Sequence, residues 1–391
     1  MTFPSEKHTW ADPLTGIPVT QLTHYKGHSH HFYFTNPGWY AGETRFLFSS
    51  DRANRTNLFG VDLASGEIEQ FTDITPPPPP ERFDFITACK NEVRDEVYFW
   101  HGHTLQSVDL ATKKVRELLT VESVWKPSMT ASSCDGAYLY FGLEQIVITE
   151  DYSSSARNNL GIRERWLARP LSRIVRLPLS ADGGAADPLE TVFEERALLG
   201  HINTSPTQPH LITYCHEGPW EEVDCRIWVM DTATGHRWKI EPPHRRFHIG
   251  HEFWYADGLH VGYHGITGGS ETVIGGASVV EGAPGHWFAP QQTVTGHVYS
   301  LDANLVVGDA YHDGVMKVWM RIDGVMQGPR VLCRHDCSFK IQQLHVHPRI
   351  SPDGRYVIYT SDRGGYGNIY TAPLPQDAAA FNALPAWPKI A

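Results

Sequence analysis

Residues 46–52 read F-L-F-S-S-D-R, residues 57–63 N-L-F-G-V-D-L and residues 64–72 A-S-G-E-I-E-Q-F-T. Apolar and polar positions alternate within each stretch, and short polar or glycine-bearing turns separate them, so this segment predicts three short antiparallel strands. The same syntax returns along the chain. It appears as V-Y-F-W, L-Q-S-V-D-L and K-V-R-E-L-L-T within 97–120, and as D-G-A-Y-L-Y-F and R-I-V-R-L within 135–177. Residues 201–240 give H-I-N-T-S-P, L-I-T-Y, R-I-W-V-M-D and T-G-H-R-W-K-I, and further units open at His251, His297 and His347. The last unit, H-P-R-I-S-P-D-G-R-Y-V-I-Y-T-S-D-R followed by N-I-Y-T-A, lacks a final strand.

That strand is present at the other end of the chain. D-P-L-T-G-I-P-V-T-Q-L-T (12–23) matches the outer strand of the first unit, D-L-A-S-G-E-I-E-Q-F-T (62–72). Seven units of about 56 residues, a last unit short of one strand and an N-terminal strand to spare predict an all-β, seven-bladed β-propeller closed by its N-terminal strand. The expected organisation is one domain over 1–391, with 1–25 completing the last blade and 376–391 forming a C-terminal tail. The five prolines Pro76 to Pro80 between the first two units are expected to form a stiff connector.

Composition narrows the function. The chain has 391 residues, 41% hydrophobic and 20% charged, the balance of a globular protein. Its N-terminus has no basic-then-apolar leader pattern and no run of about 18 apolar residues occurs, so a soluble, cytoplasmic protein with no membrane partner is expected. The six cysteines lack paired C-x-x-C spacing and are expected to be free thiols, with Cys333, His335 and Cys337 read as part of a loop rather than a metal clip. A net charge of -11 argues against nucleic acid and against a long polyanion lying across the surface. An anionic substrate would have to be short.

Histidine is the other compositional signal, with 22 in the chain. Aligning the units on their S-P-D-G turns puts His201, His251, His297 and His347 at one register, at the start of the innermost strand beside the axial channel. Four imidazoles in register have no packing rationale. The densest cluster is Q-Q-L-H-V-H-P (342–348). Read as extended chain, it turns His345 and His347 to the same side, with the Gln342 amide before them. With His297 from the adjacent unit these make three histidines and one oxygen, a set suited to a divalent metal with open positions. His251 is then free to act as a general base, with His248 the competing assignment. Arg226 suits a bidentate carboxylate contact or, equally on spacing, a structural ion pair. His201 and His31 are further candidates for substrate contact.

Taken in order, D-P-L-T-G-I-P-V-T-Q-L-T, F-S-S-D-R, C-H-E-G-P-W (215–220), R-I-W (226–228), G-H-E-F-W (250–254) and Q-Q-L-H-V-H-P-R-I-S-P-D-G resemble the oligogalacturonate lyases, a bacterial family of seven-bladed propellers, over nearly the whole chain. The resemblance implies a manganese-type ion held by His297, Gln342, His345 and His347, a histidine base at His251 and an essential arginine at Arg226. It also implies β-elimination on short oligogalacturonides, giving a 4,5-unsaturated uronate. The insertion at about 143–170 leaves open a different uronate, such as glucuronate or a rhamnogalacturonan fragment. A non-catalytic scaffold is the reading from another class, though it gives in-register histidines no purpose. No G-x-S-x-G elbow is present, which argues against a propeller peptidase.

Overall fold

In the computed structural model the described residues are all but 77–82, 148–160, 243–246, 269, 284, 292–295, 311 and 388–391. The insertion expected at 143–170 therefore lies partly, and the proline row mostly, outside the described residues.

Each unit becomes one antiparallel sheet, and the seven sheets are the blades of a β-propeller. Blade 1 pairs Ser29–His30 and Trp39–Tyr40 with Arg45–Ser50, then Asn57–Asp62 and Ile68–Gln70. Blades 2 to 6 are four-stranded, and their innermost strands are Cys89–Lys90, Trp125–Ser132, Leu199–Thr204, His248–Trp254 and Val298–Ser300. In blade 7, Arg349–Ile350, Tyr356–Ser361 and Asn368–Pro373 are joined by Pro18–Gln21, which pairs Gln21 with Tyr370 and Thr20 with Thr371. The chain start does more than the sequence suggests. His8–Ala11 adds a fifth strand to blade 7, and Thr2–Phe3 pairs with Ile68–Gln70 of blade 1, so one segment ties the first blade to the last.

The recurring D-x-x-x-G element has a local cause. Asp12 and Asp62 each accept the backbone N–H groups two and three residues on, which closes a tight turn between the outer strands. Gly16 and Gly66 then take φ of 74° and 79°, a conformation that costs glycine nothing.

Alternating side chains of each blade meet those of the next. Blades 7 and 1 share Leu22, Phe48, Phe59, Ile358 and Ile369, and blades 1 and 2 share Leu47, Leu58, Phe85 and Phe99. Burial of this kind, at roughly 25 cal/mol per Å² of apolar surface, is what makes each blade depend on its neighbours. Among the described residues α-helix is limited to two short pieces, Ile162–Leu167 and Ala378–Ala383. No helix of the described residues is long and apolar enough to cross a membrane.

Two expectations about the axis are corrected. The Gln342–His347 segment is not a strand: Gln342–Leu344 is a 3-10 turn, and His347 takes a left-handed φ of 45° before the strand begins at Arg349. At the histidine level the channel is not open either. The segment 31–35 runs into it, and Tyr33 and Phe34, 6% and 0% exposed, fill the middle.

Candidate active site

The in-register histidines form a continuous arc across four blades. Ring centroids are 5.6 Å apart for His201 and His251, 5.0 Å for His251 and His297, and 4.3 Å for His297 and His347. A backbone device aims them. His201 and His251 lie at β-bulges, where pairing with the next strand slips between Gly200 and Asn203 and between Gly250 and Phe253. Both have positive φ, 49° and 50°, which an L-residue adopts only at a cost. Strain repeated at one register in adjacent blades marks a site that the surrounding sheets must hold in place. Tyr33 sits inside the arc, with centroids 5.6 Å from His201 and 4.9 Å from His347.

At one end of the arc His297, His345 and His347 each offer a ring nitrogen, and these nitrogens lie within 4.8 Å of one another. His297 Nδ1 is 2.8 Å from Asp309 Oδ2, which leaves Nε2 for the cluster. The Gln342 amide lies 3.1 Å from His347 Nε2. Turning that amide over would present its oxygen to the same point. Burial first, then neighbouring imidazoles, push His347 well below the usual histidine range, and burial lowers His345. Both shifts favour the neutral ring, whose lone pair a metal can take. Three imidazoles and an amide oxygen fit a divalent first-row ion.

At the other end Arg226 is already engaged. Its Nη1 and Nη2 donate to Glu217 Oε2 and Oε1 at 2.9 and 3.0 Å, and His201 Nε2 lies 3.2 Å from Oε1 of the same carboxylate. Burial pushes Glu217 up, but the Arg226 charge and the His201 hydrogen bond outweigh it and hold the carboxyl well below its usual range. Arg226 Nε remains buried without a partner. Glu252, fully buried, has no partner for either oxygen among the described residues, and its field also acts on Arg226. His201, Cys215 and Glu217 also bring ligand atoms within 4.8 Å, but the guanidinium occupies both Glu217 oxygens.

Between the two ends stands His251. Its Nδ1 is 2.6 Å from His264 Nε2, and the two ring planes lie 14° apart with centroids 4.9 Å from each other. Burial lowers His251 well below the usual range, and pushes His264 down to about 3.

Other candidates fall elsewhere. His248 lines a cavity of about 620 Å³ between blades 4 and 5, bordered also by Trp220 and Arg226. His31 packs behind His347, 2% exposed, with Nδ1 donating to the Phe32 carbonyl at 2.5 Å. Cys337 Sγ turns to the Leu344 carbonyl and Cys333 to Tyr359, so with His335 they do not converge. Tyr33, Glu217, Glu252, His264 and Asp309 were not singled out from sequence. Glu217 lies inside the C-H-E-G-P-W stretch and Tyr33 beside His31; Asp309 and His264, on second strands, carry no local signal.

A family model described as oligogalacturonate lyase matches residues 2–378. The oligogalacturonide lyase of Pectobacterium atrosepticum is 24% identical over 395 residues, covering 95% of this chain and 97% of that protein. The oligogalacturonate lyase of Dickeya dadantii is 23% identical over 399 residues, covering 94% and 96%. Among solved structures, an oligogalacturonate lyase in complex with manganese superposes with a TM-score of 0.83 at 24% identity, over 96% of this chain and 98% of the other. The match over nearly the whole chain places this protein in the oligogalacturonate lyase family.

Proposed function

We propose that the protein cleaves short oligogalacturonides by β-elimination at the histidine arc, with a divalent ion, manganese for preference, held by His297, Gln342, His345 and His347. The observation that carries this reading is the division of labour along the arc. Three imidazoles converge on one point, while His251 beside them is held at Nδ1 and has no hydrogen bond at Nε2 among the described residues. A manganese complex of a family member supports the choice of ion.

The C5–H of a uronate is weakly acidic because the adjacent carboxylate must carry charge as the proton leaves. A bound divalent ion would supply Lewis-acid stabilisation of that carboxylate. His251 Nε2 takes the C5 proton, the C–H electron pair becomes the C4=C5 bond, and the C4–O pair leaves with the glycosidic oxygen, which takes a proton from solvent water to become a hydroxyl, the resulting hydroxide being neutralised by the proton that His251 then releases. Burial keeps His251 neutral and therefore basic in form. Arg226, preset by Glu217, is the cation for the substrate carboxylate, and His201, on the same Glu217 carboxylate, borders that space. Six unbridged cysteines suit action in the cytoplasm.

The test is incubation of manganese-loaded protein with di- and trigalacturonate, following the ultraviolet absorbance of the unsaturated product. Cleavage of glucuronate or rhamnogalacturonan fragments in place of these substrates would overturn the substrate, and inertness toward all of them would overturn the activity.

A further inference from the structure

His264 comes from the second strand of blade 5, His260–Ile266, where it pairs with Gly250 next to the bulge carrying His251. Gly250 carries no side chain because Arg226 and Trp220 fill the space that a Cβ would take, and His264 rests against Trp220 at a centroid distance of 5.4 Å. Two nitrogens 2.6 Å apart require one proton between them, since two facing lone pairs would repel and two facing N–H groups would clash. The pair therefore has two arrangements. In one, His251 donates through Nδ1 and keeps a lone pair on Nε2. In the other, His264 donates, His251 carries its proton on Nε2 and cannot accept one there. A carboxylate partner would enforce the first arrangement, as in hydrolytic triads; here the acceptor is a second imidazole.

We infer that His264 is the positioning residue of the reaction, accepting the Nδ1–H of His251 and thereby fixing the tautomer and ring plane that leave Nε2 free for the C5 proton. This rests on the proposed lyase reading. Among the described residues no hydrogen bond reaches His264 Nδ1, so the two rings are held by each other and by Trp220.

Two variants separate orientation from packing. His264→Phe keeps a flat ring against Trp220 but offers no acceptor, while His264→Gln retains an amide oxygen. With trigalacturonate, kcat should fall about 10²-fold in His264→Phe, with KM and bound manganese within twofold of the parent, and recover by at least about tenfold in His264→Gln. In a His251→Ala background His264→Phe should have no further effect. Equal impairment of the two variants would reduce His264 to packing, and loss of manganese would make it a ligand; either overturns the inference. A readout independent of turnover uses ¹⁵N-histidine protein loaded with diamagnetic Cd²⁺. His251 should show a protonated Nδ1 and bare Nε2 in the parent and in His264→Gln, and mixed tautomers in His264→Phe. A protonated Nε2 in the parent overturns the inference even if the protein cleaves its substrate, and the expected tautomer in an inactive protein overturns the lyase reading alone.

Discussion

His297 Nδ1 and Asp309 Oδ2 lie 2.8 Å apart with both side chains buried, and Asp309 Oδ1 accepts the backbone N–H groups of Gly296 and His297 at 2.8 Å each. One carboxylate thus holds both the ring and the backbone of a candidate metal ligand. Burial pushes Asp309 up, but its interaction with the facing His297 ring and the hydrogen bonds from that residue outweigh it and keep the carboxyl low. Asp309→Asn must set an N–H group against one of these donors. Manganese affinity should fall by about 10- to 100-fold, measured by competition with a chelator. Unchanged affinity would remove Asp309 from the site.

His345 is the histidine ligand candidate least tied into the core, half-buried beside the exposed Gln342. His345→Ala should lose most bound manganese by elemental analysis. The metal-free variant should unfold within a few degrees of the metal-free parent, because truncation near the surface costs under about 1 kcal/mol. Full metal occupancy would show that another group supplies the third nitrogen.

Deletion of residues 1–23 should abolish soluble, cooperative folding. It strips His8–Ala11 and Pro18–Gln21 from blade 7 and Thr2–Phe3 from blade 1, exposing the Asn368–Pro373 edge. It also removes Glu6, which pairs with Arg52 at 2.6 and 2.8 Å, and leaves a guanidinium that is 5% exposed without its carboxylate. Size-exclusion chromatography and calorimetry decide this; a monomeric truncation with a single sharp transition would contradict it.

Lys317, fully buried, is 3.1 Å from Asp313 Oδ2 and 3.6 Å from the centre of the Trp387 ring. Burial outweighs the Asp313 interaction and lowers its pKa from 10.5 to about 8. The unfolded chain therefore binds more protons than the folded one between these values, and stability rises with pH across that window. Relative to Lys317→Met, which carries no charge, the parent should gain in chemical denaturation as pH is raised from about 8 toward 10.5 and show a constant difference below. Parallel curves throughout would mean that the ammonium keeps its ordinary pKa, held by Trp387 and Asp313.

Strand syntax was legible wherever alternation and turn chemistry coincide. The match between 12–23 and 62–72 reports one shared turn, an aspartate side chain capping two N–H groups before a left-handed glycine, and such local chemistry is written in adjacent residues. Trp125–Ser132 was not legible. It carries Pro127 at a register shift and lacks clean alternation, and neighbouring blades supply what makes it a strand.

By itself, then, the sequence determined the blade repeat, the closing strand and the shared register of His201, His251, His297 and His347, because hydrophobic period and turn residues are properties of consecutive positions. Only the tertiary structure decided how those histidines are used. The β-bulges that turn His201 and His251 inward, the 3-10 turn in place of an extended Gln342–His347, and the Tyr33–Phe34 plug arise from how strands pair and blades pack, which no run of consecutive residues specifies. The same holds for the partners: Asp309 behind His297, His264 behind His251 and Glu217 on Arg226 sit 12, 13 and 9 residues away from the groups they hold. Their role depends on which strands the sheet brings side by side, and a carboxylate or imidazole on a neighbouring strand has no signature until that pairing exists.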